Sequence, residues 1–324
     1  MPELPEVETV RAGLVRHVLH RPLAAADVLH PRAVRHQAGG ASELHADLQG
    51  RAFRAAVRRG KFLWLELEEA DRDAPVSPDH ALLVHLGMSG QLLIQPPASP
   101  GTPHASTALP AAEQLARPVT STTAHVRVRL RFVDGGQLWF VDQRTFGYVR
   151  SVPLVATDDH APGGQGSELP LVPLPAAHIA RDLLDPAIDV PAVIQSLRAR
   201  RTEIKRAILD QALVSGIGNI YADEALWRAE LHGTERTDLV PAGQLAALLE
   251  HARAVMSEAL AAGGTSFDAM YVDVDGAGGY FERSLDAYGR AGQPCRRCGT
   301  AIRREQFMNR GSFSCPACQP PPHC

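Results

Sequence analysis

The chain has 324 residues, 45% of them hydrophobic and 21% charged, enough for two ordinary domains that each bury a core. Its formal net charge of -3 does not announce a nucleic-acid partner, no apolar run reaches membrane-span length, and Glu3, Glu6 and Glu8 stand where a signal peptide would be basic and then apolar. The expectation is a cytoplasmic protein with no membrane partner.

Val7, Val10, Leu14 and Val18 recur three or four residues apart, which predicts a short amphipathic helix behind an extended Pro2–Pro5 entry. Alternation then takes over in Phe62–Leu67 and Ala81–Leu86. It returns where Val126, Val128, Leu130 and Phe132 alternate with Arg127, Arg129 and Arg131, ahead of an Asp134-Gly135-Gly136 turn and Leu138–Val141. The first half therefore reads as mostly antiparallel sheet. Gln95–Ala124 and Pro153–Pro175 break the pattern, being rich in Pro, Ala, Ser, Thr and Gly. The first reads as a long loop between strands. The second coincides with a change from strand to helix signals, so the expected division is residues 1–152, a linker at 153–176, a helical domain at 177–282 and a cysteine segment at 283–324. Pro191–Gln211 and Ala222–Ala229 read as helices, and the apolar stripe from Leu245 to Ala259 as a third that ends at Gly263-Gly264.

All five cysteines fall between Cys295 and Cys324, which is one local site rather than a disulfide framework. Cys295-x2-Cys298 and Cys315-x2-Cys318, separated by sixteen residues, have the spacing of two knuckles that bring four thiolates to one tetrahedral zinc. Four cysteine ligands leave no open position for water, so the zinc is structural and the chemistry lies elsewhere. Between the knuckles, Ala301–Arg304 and Ser312–Ser314 can pair as a hairpin presenting Arg303, Arg304 and Arg310. Seven arginines lie between Arg283 and Arg310, and four more with Lys205 between Arg198 and Arg206. These patches are either solvated faces or phosphate-binding surfaces, and the density near the zinc knuckles favours phosphate. Gly216-Ile217-Gly218-Asn219 lies between helical segments and lacks the third glycine of a dinucleotide fingerprint. Such a turn exposes N–H groups at the next helix's start, which suits a phosphate or is a bare helix connection.

Pro2 and Glu3 have specific chemistry. A small second residue permits removal of Met1, giving a secondary amine with a reference pKa of about 8, partly unprotonated near neutrality. Condensed with a sugar C1', that amine gives an iminium, cationic without a proton and hence an electron sink. Glu3, one residue away, can shuttle protons to the opening sugar ring.

Met1-Pro2-Glu3-Leu4-Pro5-Glu6-Val7-Glu8-Thr9, His85-Leu86-Gly87-Met88-Ser89-Gly90, Asp142-Gln143-Arg144-Thr145-Phe146-Gly147, Gly216 to Glu224 and the four-cysteine end, taken in order, resemble the formamidopyrimidine-DNA glycosylase family. The resemblance implies an α+β fold: an N-terminal two-layer β-sandwich flanked by helices, then a helix-two-turn-helix domain and a zinc-finger β-hairpin, with double-stranded DNA in the cleft between. It implies a monomer, nucleoid-associated when bound to DNA, that removes oxidised purines such as 8-oxoguanine and formamidopyrimidines through a Schiff base on Pro2, followed by β- and δ-elimination. By the same resemblance Glu3 is the proton-relay carboxylate, Lys61 the active-site lysine, Arg310 the zinc-hairpin arginine and Glu6 a supporting carboxylate. Met88, Arg144 and Phe146 would fill the gap left by a flipped base, Arg144 reading the orphaned cytosine. His125, Lys205 and Asn219 match phosphate contacts, Arg201 matches a basic position, and Tyr271 to Phe281 matches the loop over the extruded base.

Some relatives carry Pro and a second Arg where this chain has Gln143 and Thr145. Two alternatives stand beside this reading. An endonuclease VIII-type enzyme for oxidised pyrimidines shares the terminal proline and zinc hairpin, but its start reads Pro-Glu-Gly-Pro-Glu where this chain has Leu4. A zinc-ribbon protein that binds DNA without cutting it would leave Pro2, Glu3, Lys61 and Arg310 incidental.

Overall fold

The computed structural model describes residues 2–70, 77–97, 123–265, 274 and 281–322. Strand β3 (Phe62–Glu69) carries apolar residues on both faces: Leu63 and Leu65 point into one buried cluster and Trp64 into another on the opposite face. Around it β2 (Arg51–Arg59), β3, β4 (His80–His85), β8 (Tyr148–Ala156) and β9 (Leu171–Pro173) form a five-stranded antiparallel sheet in that order. A second sheet runs β1 (Leu23–Val28), β6 (Val126–Phe132), β7 (Gln137–Asp142), β5 (Gly90–Gln95). Phe53, Leu65, Leu82 and Val149 of the first sheet meet Leu92, Leu130, Phe132 and Phe140 of the second in one core. This is the expected sandwich.

Helix α1 (Leu4–His17) lies against this core through Val7, Val10 and Leu14. It begins at Leu4, with Pro5 in its first turn, so the extended entry expected through Pro5 is shorter: proline's fixed φ and missing N–H are tolerated where no intrahelical bond is due. Leu4 itself is buried in a separate, helical core with Ile204, Ile217 and Tyr221, so α1 spans the junction between the two halves. Helix α2 (Gly40–Leu48) covers β1.

Segment 153–176, expected as a linker, instead extends the sandwich. β8 continues to Ala156 and β9 pairs with it, Leu154 opposite Pro173 and Ala156 opposite Leu171. Its turn is held by Arg181, which donates to Asp159 at 2.5 and 2.7 Å. Proline-rich composition hid a sheet edge, where prolines are admitted. The helix expected over Pro191–Gln211 is two, α3 (Val190–Arg198) and α4 (Ile204–Ile208). Between them the backbone bonds elsewhere: Thr237 donates to Arg200 O and Thr202 O, and Ile204 N donates to Glu235 O. Helices α5 (Asn219–Arg228) and α6 (Ala242–Ala261) complete the helical core.

The carboxy-terminal hairpin pairs β10 (Arg303–Phe307) with β11 (Arg310–Ser314), Arg303 opposite Ser314 and Phe307 opposite Arg310. Its two-residue turn, Met308 (φ 45°) and Asn309 (φ 60°), has both dihedrals positive, the twist that matches a tight hairpin. Among the described residues, no helix is long and apolar enough to cross a membrane.

Candidate active site

Pro2 is buried at the start of α1 and lines a cavity of about 400 Å³ with Lys61, His85, Asn219, Met308 and Arg310. Sandwich, helical half and hairpin all contribute to this one space. Glu3 lies beside it with its carboxylate on the N-terminus of α5, accepting from Ile220 N at 3.2 Å and Tyr221 N at 3.5 Å. The anion at the glycine-rich turn is thus neither a phosphate nor absent: the protein supplies its own. A Cβ on Gly218 would collide with the Glu3 carboxylate, so that glycine makes the room. Burial pushes the Glu3 carboxyl above the usual carboxylate range, and outweighs both Lys61 and the Ile220 hydrogen bond that pull it down.

Glu6 supports this geometry directly. It accepts from Glu3 N at 2.8 Å, from Tyr221 Oη at 2.7 Å, and from Thr265 N and Oγ1 at 2.8 and 2.7 Å. Four donors converge on one buried carboxylate, tying α1 to α5 and to the end of α6.

Lys61 follows Gly60 in the tight β2–β3 turn, and its Nζ donates to Ile217 O at 2.7 Å. Gly60 has φ +56°, and a Cβ there would meet Ser215 Oγ at 2.5 Å and Gly216 N at 2.9 Å, so glycine is required both by dihedral and by contact. Burial holds the Lys61 ammonium below the usual lysine value, with Glu3 acting the other way. The same turn rests on Asp182, which accepts from Gly60 N at 2.9 Å and from Arg58 at 2.7 Å; Arg58 also donates to Glu8 at 2.8 Å.

Arg310 opens β11 at the cavity's far wall. Behind it the Sγ atoms of Cys295, Cys298, Cys315 and Cys318 all lie within 4.8 Å of one another. Tetrahedral coordination with Zn–S near 2.3 Å needs sulfurs about 3.8 Å apart, so this set fits one zinc ion. Trp227 Nε1 and the backbone N–H of Arg297 both donate to Cys295 Sγ at 3.4 Å, as suits a thiolate. One structural zinc belongs here, joining hairpin to α5 through Trp227, Ile302 and Cys315.

Met88 (46% exposed) and Phe146 (47% exposed) stand on turns at the cavity's sandwich side, outside the sheet core, with the exposed Arg144 guanidinium 5.8 Å from the Phe146 ring. The fully buried Asp142 holds both turns: it accepts from Ser89 Oγ at 2.6 Å, Arg144 N at 3.1 Å and Gly147 N at 2.7 Å. Thr145 adopts φ 55°, a strained backbone for a β-branched residue. His125 is half-buried beside this turn, its carbonyl accepting from Asp142 N. Arg201 has its side chain 84% exposed.

Lys205 departs from the expected phosphate contact. Its ammonium is fully buried, donating to Asp223 at 2.6 Å and Ser312 Oγ at 2.8 Å, and so presents no face to a phosphate. Asn219 lines the cavity but spends one donor on Gly311 O at 2.8 Å. The basic patches are thinner than their counts, since Arg200, Arg296 and Arg297 pair with Asp210, Asp286 and Glu230. The loop expected over the extruded base, Tyr271 to Phe281, lies outside the described residues except for Val274 and Phe281, as do most of Gln95–Ala124 and the His323-Cys324 tail.

Three family descriptions match in chain order: the formamidopyrimidine-DNA glycosylase N-terminal domain over residues 1–149, the formamidopyrimidine-DNA glycosylase H2TH domain over 179–270, and the zinc finger found in FPG and IleRS over 292–321. The formamidopyrimidine-DNA glycosylase of Rhodococcus jostii is 52% identical over 322 residues, covering 99% of this chain and 97% of that protein. That of Nocardia farcinica is also 52% identical, covering 99% of each. The chain belongs to the formamidopyrimidine-DNA glycosylase family. Its fold is shared with Lactococcus lactis Fpg crystallised with abasic-site DNA, at TM-score 0.74 and 27% identity, covering 98% of this chain and 99% of that one. A mutant of the same enzyme, crystallised with Fapy-dG DNA, matches at TM-score 0.75 and 28% identity, covering 99% and 100%. It is thus a base-excision DNA glycosylase with a structural zinc finger.

Within that family frame, residue types alone did not reveal the Glu8–Arg58–Asp182 cluster. The arginine pair Arg58-Arg59 precedes Gly60-Lys61 in sequence, but Glu8 and Asp182 lie far from it along the chain. Asp223 carries no local signal of its pairing for a related reason: its partners Lys205 and Ser312 lie 18 and 89 positions away.

Proposed function

We propose that the enzyme excises 8-oxoguanine and formamidopyrimidines lying opposite cytosine in double-stranded DNA, as a bifunctional glycosylase and abasic-site lyase. The observation that carries the reading is the single cavity on which Pro2, Lys61 and Arg310 converge from three parts of the fold, with Glu3 at its edge. The Lactococcus structures with abasic-site and Fapy-dG DNA support it.

With Met1 removed, the neutral Pro2 amine attacks C1' of the flipped nucleotide; the N–C1' bond forms, the C1'–base bond breaks, and the base leaves with its electron pair and takes up the proton that the Pro2 nitrogen gives up. Glu3, kept protonated to higher pH by burial, delivers its proton to O4' as the sugar ring opens to the iminium. The iminium then accepts electrons: loss of a C2' proton expels the 3' phosphate, and a second elimination expels the 5' phosphate. Lys61, whose amine burial frees of its proton more readily than usual, is the nearby base, and Arg310 grips phosphate. Met88, Arg144 and Phe146 occupy the emptied stack, while His125, Arg201 and Asn219 contact backbone. All these groups come from one chain, which suits a monomer, working in the cytoplasm and on the nucleoid when bound to DNA.

Borohydride trapping tests this. A duplex carrying 8-oxoguanine opposite cytosine should yield a covalent protein–DNA adduct, and an uncleavable tag ahead of Pro2 should abolish it. Undiminished trapping with the tag sinks the nucleophile assignment; preferential trapping on 5-hydroxyuracil sinks the purine assignment.

A further inference from the structure

Helix α5 carries more than the Glu3 anchor. Asn219 and Asp223 are four residues apart, hence on one face, and that face meets the strand that starts with Arg310. Asn219 Nδ2 donates to Gly311 O at 2.8 Å. Asp223 Oδ2 accepts from Phe313 N at 2.9 Å, and its Oδ1 accepts from Ser312 Oγ at 3.1 Å and Lys205 Nζ at 2.6 Å. Lys205 closes the ring by donating to Ser312 Oγ at 2.8 Å. The three residues following Arg310 are therefore all clamped to α5.

On the opposite strand Arg303 to Gln306 are exposed, and Phe307 beside the turn is held by ring contacts rather than by hydrogen bonds to α5, with Lys205 Nζ 5.2 Å and Arg206 Cζ 5.7 Å from its ring centroid. The zinc site holds the hairpin only at its base, beyond Ser314. Asp223 and Lys205 are both buried; burial raises the aspartate pKa and lowers that of the lysine, and each one's charge acts against that shift in the other.

We propose that Asp223, paired with Lys205, is a positioning residue for Arg310, setting its place in the cavity relative to Glu3 at the head of the same helix. This rests on the assignment of Arg310 made above. One rigid element then fixes two groups that are 307 positions apart in sequence (3 and 310). A displacement of about 1 Å at a reacting centre costs on the order of 100-fold in rate, so a clamp one to three residues from Arg310 acts on the chemistry without touching substrate.

The test is single-turnover cleavage of abasic-site duplex by zinc-loaded, full-length variants: Asp223→Asn, Ser312→Ala, Arg310→Ala and the two doubles with Arg310→Ala. Zinc content and melting temperature are measured alongside. Asp223→Asn is expected to lose on the order of 10- to 100-fold and Ser312→Ala less, and neither should slow cleavage further once Arg310 is already alanine. If either lowers the rate by the same factor with and without Arg310, or if both leave it unchanged, the positioning role is overturned while the Arg310 assignment stands. An Arg310→Ala enzyme at the wild-type rate overturns both. Ser312→Ala removes only a hydroxyl and keeps the test decisive should Asp223→Asn fold poorly.

Discussion

Gly218 has backbone dihedrals (φ -119°, ψ -167°) that any residue adopts, so the chain does not need a glycine there; Glu3 does. Gly218→Ala should fold, because the atoms it meets are the end of a flexible side chain, yet it should drive the carboxylate off Ile220 N and Tyr221 N. Trapping is expected to fall on the order of 100-fold with the circular dichroism spectrum and zinc content unchanged. Equal trapping would mean that Glu3 works from another position. The pH dependence belongs to this scale too. Glu3 must be protonated to act as the acid, so the single-turnover rate falls as pH rises through its pKa; burial raises that pKa, which moves this descending limb above the ordinary carboxylate range, and Glu3→Gln should abolish it. The ascending side belongs to the Pro2 amine, which must lose its proton to attack and has a reference value of about 8. A limb that persists in Glu3→Gln would assign it to another group.

At the scale of elements, the turns β4–β5 and β7–β8 behave as one unit because Asp142 bonds to both. Asp142→Ala leaves Ser89 Oγ and Gly147 N without their acceptor and Arg144 N with only Ser89 Oγ at 3.3 Å, at roughly 1–3 kcal/mol for each donor left unpaired and buried. The expected result is a lowered melting temperature together with weaker discrimination between cytosine and adenine opposite the lesion, since Arg144 loses its seat. Discrimination at the wild-type level would separate Arg144 from that task. Helix α5 is the counterpart on the other wall, with Glu3 at its head and the hairpin along its side.

At the scale of the whole molecule, Arg58 holds sandwich to helical half: it lies on β2, Glu8 on α1 and Asp182 in the segment leading to α3, and all three are buried. Its burial opposes its charge, but the two carboxylates win and raise its pKa. Removing one partner of such a cluster strands the others, so Arg58→Ala should cost about 3–5 kcal/mol. Because Asp182 also seats Gly60, trapping by the fraction that remains folded should fall as well. Denaturant unfolding with the midpoint unmoved would show that the halves are held by their apolar contacts alone.

What the sequence determined by itself was local. Four cysteines in two short pairs specify a zinc site because a metal needs ligands at fixed spacing, Pro2 carries its chemistry in its own amine, and β6 announces its two faces by alternation at neighbouring positions. Tertiary structure alone decided the rest. It put Glu3 on a helix 217 positions away, withdrew Lys205 into a pair with Asp223, and turned a proline-rich stretch into a sheet edge. The reason is physical: a charge, a phosphate and a helix terminus satisfy the same donors, and only the folded chain shows which of them arrives.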